Sequence, residues 1–139
     1  MQVSDVMTRE IRLIEPDATL IQAAELMQQH NIGCLPVYSG NQITGMVTDR
    51  DLVIRGLAEH LDPGQTHVQD VMTKGIYTCL ENQSVEEACR LMEDKQVHRI
   101  LVLDRDHQPI GIISMQNLAL GTHNEHLCYE VMENICRDR

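Results

Sequence analysis

Apolar residues fall along this chain in short periodic blocks, and the blocks come twice. Leu20, Ala23, Ala24 and Met27 recur at helical spacing behind Thr19, whose hydroxyl can cap a helix over roughly 20 to 30. Asn31 and Gly33 end that pattern. Leu35 to Tyr38 and Ile43 to Val47 then read as strands around the turn Ser39-Gly40-Asn41. Thr48 can cap a second helix, Asp49 to Glu59, with Leu52, Val53 and Leu57 inward and with Asp49 and Asp51 in the first turn, where carboxylates are favoured. Before the first helix, Thr8 to Ile14 reads as a short extended piece entering a turn at Glu15-Pro16-Asp17.

The second half repeats the order. Ser84 caps a helix to about Lys95, Ile100 to Leu103 and Ile110 to Ile113 are strands around Asp104-Arg105-Asp106-His107, and Met115 to Leu120 is a helix. The repetition extends to residue identity. Val3-Ser4-Asp5-Val6-Met7-Thr8 returns as Val68-Gln69-Asp70-Val71-Met72-Thr73, an offset of 65, and Ile11, Ala23, Leu26-Met27 and Val37 match Ile76, Ala88, Leu91-Met92 and Val102. After one inserted residue, Gly45-Met46-Val47-Thr48 matches Gly111-Ile112-Ile113-Ser114 and Leu52 matches Leu118. The predicted organisation is α/β (α+β): two beta-alpha-beta-beta-alpha copies, 1–60 and 68–120, a turn-rich linker 61–67, and a polar tail 121–139 in which Tyr129-Glu130-Val131-Met132 could form a short helix. Copies of some 55 to 60 residues bury little surface alone. The expectation is that their apolar sheet faces pack together about a pseudo-twofold axis, leaving two related grooves.

Composition narrows the function. In 139 residues, 11 Lys and Arg face 21 Asp and Glu, a net charge of -10, so the surface lacks the basic footprint of a nucleic-acid binder and is a poor match for anionic membranes. Three Tyr and no Phe or Trp leave little for stacking on single-stranded bases. No apolar run reaches about 18 residues, and Met1-Gln2-Val3-Ser4-Asp5 does not open a secretory signal. Five cysteines without a CxxC spacing fit a reducing, cytoplasmic setting, with Cys34 and Cys89 read as small buried hydrophobes. No nucleophile–base pair and no Walker or Rossmann pattern is present, so an enzyme is not expected. His123, His126, Cys128 and Cys136 are of zinc-ligating type, but their spacing matches no closed motif, and no metal site is assigned. His30, His60, His67 and His107 read as solvated.

Asp-Val-Met-Thr at the head of each copy, Ile32-Gly33-Cys34-Leu35-Pro36-Val37 in the middle and Gly45-Met46-Val47-Thr48-Asp49-Arg50-Asp51 at the end, with their counterparts in the second copy, resemble the cystathionine-beta-synthase (CBS) domain pair, or Bateman module. The resemblance covers residues 3 to about 120. It implies a non-catalytic regulatory module that binds an adenosine-containing ligand: AMP, ADP or ATP, with NAD or S-adenosylmethionine as further candidates. It also implies a homodimer, for which Ile21, Leu26, Leu91 and Met92 are candidate exposed apolar positions, and an effector protein as a possible partner.

Thr48 and Asp51, three apart, share one face of a helix start, and a hydroxyl and a carboxylate there can hold the two hydroxyls of a ribose. The same residues also read as an ordinary N-cap and a dipole-complementing acid. In the family the position of Asp51 binds the ribose. Gly45 permits a close backbone approach. Ile11, Ile32, Cys34 and Met46 match positions around the base, and would equally be core. For phosphates the resemblance points to His98 and Arg99, where the first copy has the uncharged Gly33-Cys34; Arg99 also reads as a surface residue paired with an acid such as Asp104. Arg12 and Arg50 are weaker candidates. In the second copy Asn117 stands in place of Asp51 and Ser114 in place of Thr48, which predicts one good site and one weak or empty one. The competing reading is a structural or adaptor protein with empty grooves.

Overall fold

The structure, a computed structural model, describes residues 1–136. In chain order the elements are α1 (Val3–Val6), α2 (Leu20–His30), β1 (Cys34–Ser39), β2 (Gln42–Thr48), α3 (Asp49–Asp51), β3 (Thr78–Leu80), α4 (Val85–Lys95), β4 (Arg99–Leu103), β5 (Pro109–Ser114), α5 (Met115–Gly121) and α6 (Glu125–Cys136). A π-helical turn, Leu52–Leu57, continues α3, and a 3-10 turn spans Val68–Asp70. The chain divides into two compact units: a first unit, Arg12–Ile76, and a second made of Met1–Ile11 with the chain from Tyr77 onward. These units are not the sequence copies. Each keeps one copy's helix and hairpin and takes the leading segment of the other.

In the first unit, β1 and β2 form an antiparallel hairpin through Gly40 and Asn41, both at positive φ (57° and 65°). Thr19 caps α2, its hydroxyl accepting from the Gln22 N–H. The borrowed segment satisfies the donors that a helix start leaves open: Leu20 N–H donates to the Thr66 carbonyl and Ile21 N–H to that of Pro63. Residues of the predicted linker therefore close a helix rather than hang between copies. Val68 and Val71 join Leu20, Ala23, Met27, Leu35, Val37 and Val47 in one buried cluster.

The second unit is assembled the same way. Strand β3 pairs in parallel with β4, which pairs antiparallel with β5. Ser84 caps α4, and Val85 N–H donates to the Met1 carbonyl. Val3 and Met7 complete a core with Ala88, Cys89, Met92, Ile100, Val102, Ile113 and Leu118.

Four expectations need correction. The helix expected over Asp49–Glu59 is α-helical only to Asp51; beyond it the winding is i to i−5, as Ala58 N–H donates to the Val53 carbonyl. Wider turns shift the phase of the face, so Gly56 meets Leu20 while Val53 and Leu57, expected inward, are 51% and 58% exposed. The tail carries a full helix, α6, rather than a short one; Val131 and Ile135 are buried, and it packs against α4 and α5. Residues 137–139 of the tail lie outside the described ones. Cys34 is half-buried, unlike Cys89. Among the apolar positions considered for an interface, Ile21 is exposed, but Leu26 and Leu91 pack against their own cores and Met92 is fully buried.

Candidate functional site

The first unit concentrates polar groups where β2 passes into α3. Thr48 and Asp51 cap each other: Asp51 N–H donates to Thr48 Oγ1 at 3.1 Å, and Thr48 N–H donates to Asp51 Oδ2 at 3.0 Å. The capping role that the spacing allowed is thus present. It leaves Oδ1 outside the cap, and a carboxylate can accept about four hydrogen bonds. Asp51 is the one buried polar residue among those described, 8% exposed. Two further residues reach it, and neither was singled out from the sequence. Thr73 Oγ1 donates to Oδ2 at 3.5 Å, and Arg55 Nε lies 3.9 Å from Oδ1. Thr73 belongs to the repeated Asp-Val-Met-Thr segment, and its recurrence was the available signal; Arg55 has no counterpart in the second copy and gave none.

Thr73 arrives through a close backbone approach. Its N–H and carbonyl pair with Met46 at 2.8 and 2.9 Å. A Cβ on Gly45 would sit 2.7 Å from the Thr73 carbonyl oxygen and 2.7 Å from Met72 Sδ. What Gly45 admits is therefore this segment of the chain itself.

The second unit repeats the arrangement without either charge, with Asn117 and Gly121 at the positions of Asp51 and Arg55. Thr8 pairs with Ile112 at 2.8 and 2.9 Å, and a Cβ on Gly111 would lie 2.7 Å from the Thr8 carbonyl oxygen. Asn117 Oδ1 accepts from both the N–H and the hydroxyl of Ser114, each at 2.8 Å, which fixes the amide orientation because a backbone N–H needs an acceptor. Its Nδ2 then donates to Thr8 Oγ1 at 3.0 Å. Asn117 thus offers an oxygen already accepting twice, where Asp51 has an oxygen outside the cap.

The other sequence-derived residues divide between the units. Arg12, Ile32, Cys34 and Met46 are in the first; Ile11, His98 and Arg99 are in the second. Met46 is buried, Ile32 and Cys34 are half-buried, and Arg12 is exposed with Nε donating to His30 Nε2 at 3.2 Å, so His30 is not simply solvated. Arg50 is exposed. Ile11 and His98 are half-buried. Arg99 opens β4, is exposed, and has no ion pair among the described residues, so the pairing with Asp104 is absent. No group of three or more metal-holding side chains occurs among the described residues, and no described helix is long and apolar enough to cross a membrane.

Two cysteines of the second unit, Cys79 and Cys89, are buried as thiols. Burial pushes both Cys79 and Cys89 up to about 11, with nearby Glu93 and Glu86 adding to the effect at Cys89. Such groups are poor nucleophiles at neutral pH.

Known proteins carry the same pattern. The family model of the CBS domain matches residues 3–57 and 68–120. The CBS domain-containing protein YhcV of Bacillus subtilis is 35% identical over 133 residues, spanning 96% of this chain and 94% of that protein. Hypoxic response protein 1 of Mycobacterium tuberculosis is 34% identical over 133 residues, 95% of this chain and 92% of that one. A structure of Hypoxic Response Protein I with two coordinated zinc ions superposes with a TM-score of 0.71 at 33% identity, covering 86% of this chain and 97% of that chain. CBSX2, solved in complex with AMP, superposes with a TM-score of 0.71 at 26% identity over 88% of this chain and 96% of its own. Two family matches that between them span most of the sequence, on a fold that superposes with solved members, mean that this chain belongs to the CBS domain family and carries its repeat as a pair.

Proposed function

We propose that the protein is a non-catalytic regulatory module whose ligand is an adenine nucleotide, AMP, ADP or ATP, with the ribose hydroxyls bound by Asp51 and Thr48. The observation that carries this reading is the Asp51 carboxylate: nearly buried, oriented by its cap, and with Oδ1 outside that cap. A diol is a matched partner for such a group, since each hydroxyl donates a charge-assisted hydrogen bond. The AMP complex of CBSX2 supports the ligand class. Ile11, Ile32, Cys34 and Met46 are assigned to the base, and the phosphate to His98, just before β4, and Arg99, its first residue, with Arg12 as a further candidate. The Arg99 guanidinium, which has no ion pair among the described residues, supports that assignment. The protein works as a homodimer in the cytoplasm, and its output passes to an effector protein.

Titration calorimetry with AMP, ADP, ATP, NAD and S-adenosylmethionine tests the reading. Binding of an adenosine compound, lost in Asp51→Ala, is the expected result. If none binds at millimolar concentration, the reading fails and the adaptor alternative takes its place; the exposed Val53, Ile54 and Leu57 favour that alternative, because they give a partner protein an apolar strip to cover.

A further inference from the structure

We propose that Arg55 and Thr73 are positioning residues that orient the Asp51 carboxylate and thereby set the module's preference for a ribose over a 2′-deoxyribose. The inference rests on the reading of Asp51 as the ribose-binding group.

The geometry runs in sequence from a rigid anchor to the carboxylate. Arg55 Nη1 donates to the carbonyls of Val71 at 3.3 Å and Met72 at 3.1 Å, so the guanidinium is held by backbone rather than left to swing. Its Nε then faces Asp51 Oδ1 at 3.9 Å. The next residue along the anchoring segment is Thr73, whose hydroxyl reaches the other carboxylate oxygen, Oδ2, at 3.5 Å. One segment therefore sets the carboxylate from both sides: through Arg55 at Oδ1 and through Thr73 at Oδ2. Hydrogen bonds weaken steeply with misalignment, so the value of a sugar hydroxyl to this site depends on how firmly the carboxylate plane is held.

The second unit shows that this network is not what builds the turn. The same cap forms there between Ser114 and Asn117, and the same close pairing forms between Thr8 and Ile112. Yet the position of Arg55 is occupied by Gly121, which carries no side chain and abuts Val6. The polarity is also reversed, since Thr8 receives a hydrogen bond from Asn117 instead of giving one. In the second unit the hydroxyl donated to the cap residue is that of Ser114, within the cap itself; a guanidinium at the cap and a hydroxyl donated from the docked segment occur only beside the carboxylate. Their shared feature is Asp51, not the fold.

Affinities for AMP and 2′-deoxyadenosine monophosphate, measured by calorimetry on the parent and on Arg55→Ala, Thr73→Val and Thr73→Ser, test the proposal. The parent should prefer AMP by about tenfold, the worth of one charge-assisted hydrogen bond. Arg55→Ala and Thr73→Val should each bring that ratio down to about threefold or below, and Thr73→Ser, which keeps the hydroxyl, should restore it. Thr73 is exposed and Val is close to it in shape, so Thr73→Val remains informative if Arg55→Ala does not fold. Variants that weaken both nucleotides by the same factor would overturn the proposal, because a merely structural role moves both affinities together. A parent that binds both equally would overturn it too, while leaving adenine-nucleotide binding intact. A parent that binds neither removes the reading of Asp51, and this inference with it.

Discussion

The first and second units are built from the same parts and differ in charge. Both dock a Val-Met-Thr segment against a glycine of the hairpin, Gly45 or Gly111, and both end the hairpin in a hydroxyl that caps the next turn, Thr48 or Ser114. Even the bond closing the hairpin root is shared, from Asp49 N–H to the Gly33 carbonyl and from Met115 N–H to that of His98. Onto this common frame the first unit places Asp51 and Arg55, and the second places Asn117 and Gly121 together with His98 and Arg99. The frame rests on backbone contacts and one hydroxyl, which tolerate exchange of the neighbouring side chains. Chemistry can therefore diverge while geometry does not. A second difference is cover: α6 packs on α4 and α5 in the second unit, whereas the first has no such helix and leaves Val53, Ile54 and Leu57 in the open.

The largest effect that separates the units should come from that cover. Ile135→Ala removes a buried side chain and should destabilise by about 3 kcal/mol in urea titration. Hydrogen exchange should locate the loss, with α4, α5 and α6 opening while the β1–β2 hairpin of the first unit stays protected. Loss of protection spread evenly over both units would mean that α6 supports more than the core it touches. The next effect should instead treat the units alike. Gly45→Val and Gly111→Val each force a side chain against a carbonyl oxygen 2.7 Å from the new Cβ, and each should cost about 2 kcal/mol. A large inequality between the two would show that one docking segment can yield where the other cannot.

At the polar clusters the difference should appear in binding rather than stability. Asp51→Ala should weaken an adenine nucleotide by about 1.5–3 kcal/mol, roughly tenfold or more, and Asn117→Ala should change it little. Arg99→Ala should weaken AMP more than adenosine, because only the phosphate contact is lost. Calorimetry on the three variants checks all of this, and the reverse order for Asp51 and Asn117 would mean the wrong cluster has been assigned.

The smallest difference at neutral pH concerns the thiols. Cys79 and Cys89 both belong to the second unit, and burial pushes both up to about 11 from the ordinary 9.0. Between those values the unfolded chain gives up protons that the folded chain keeps. Their contribution to stability is therefore complete below about pH 9 and falls as pH rises toward 11. Urea titrations at pH 8 and pH 10.5 should show the decline, and replacing both cysteines with Ala should flatten it. A thiol reagent at pH 8 should label the exposed Cys136 well before either buried thiol.

Much of this was legible in the sequence because it is local or repeated. The caps at Thr19, Thr48, Ser84 and Ser114 follow from a hydroxyl three residues before a backbone donor, and the hairpins follow from apolar runs about a short turn. The helix after Thr48 departs from its expected face for a physical reason. A period of 3.6 residues puts Val53 and Leu57 inward, whereas the π-helical winding of Leu52–Leu57 turns both out and Gly56 in. The wider turn brings Gly56 against Leu20, where a Cβ would lie 2.9 Å from Leu20 Cδ1, a contact between residues 36 apart that local spacing does not report.

By itself the sequence determined the repeat, the order of elements, the family, and the exchange of a carboxylate in one copy for an amide in the other. These are matters of residue identity and short-range spacing. Only the tertiary structure decided which segment serves which hairpin. Val68–Thr73 stands at the head of the second copy yet closes the core and the polar cluster of the first unit, and Val3–Thr8 does the same for the second. The Thr73 hydroxyl and the carbonyls that anchor Arg55 meet Asp51 only after that exchange, across 22 residues of chain for Thr73. Periodicity along a chain reports the face a residue shows, but which distant segment lies against that face is set by the packing of buried side chains and the pairing of backbone groups in three dimensions.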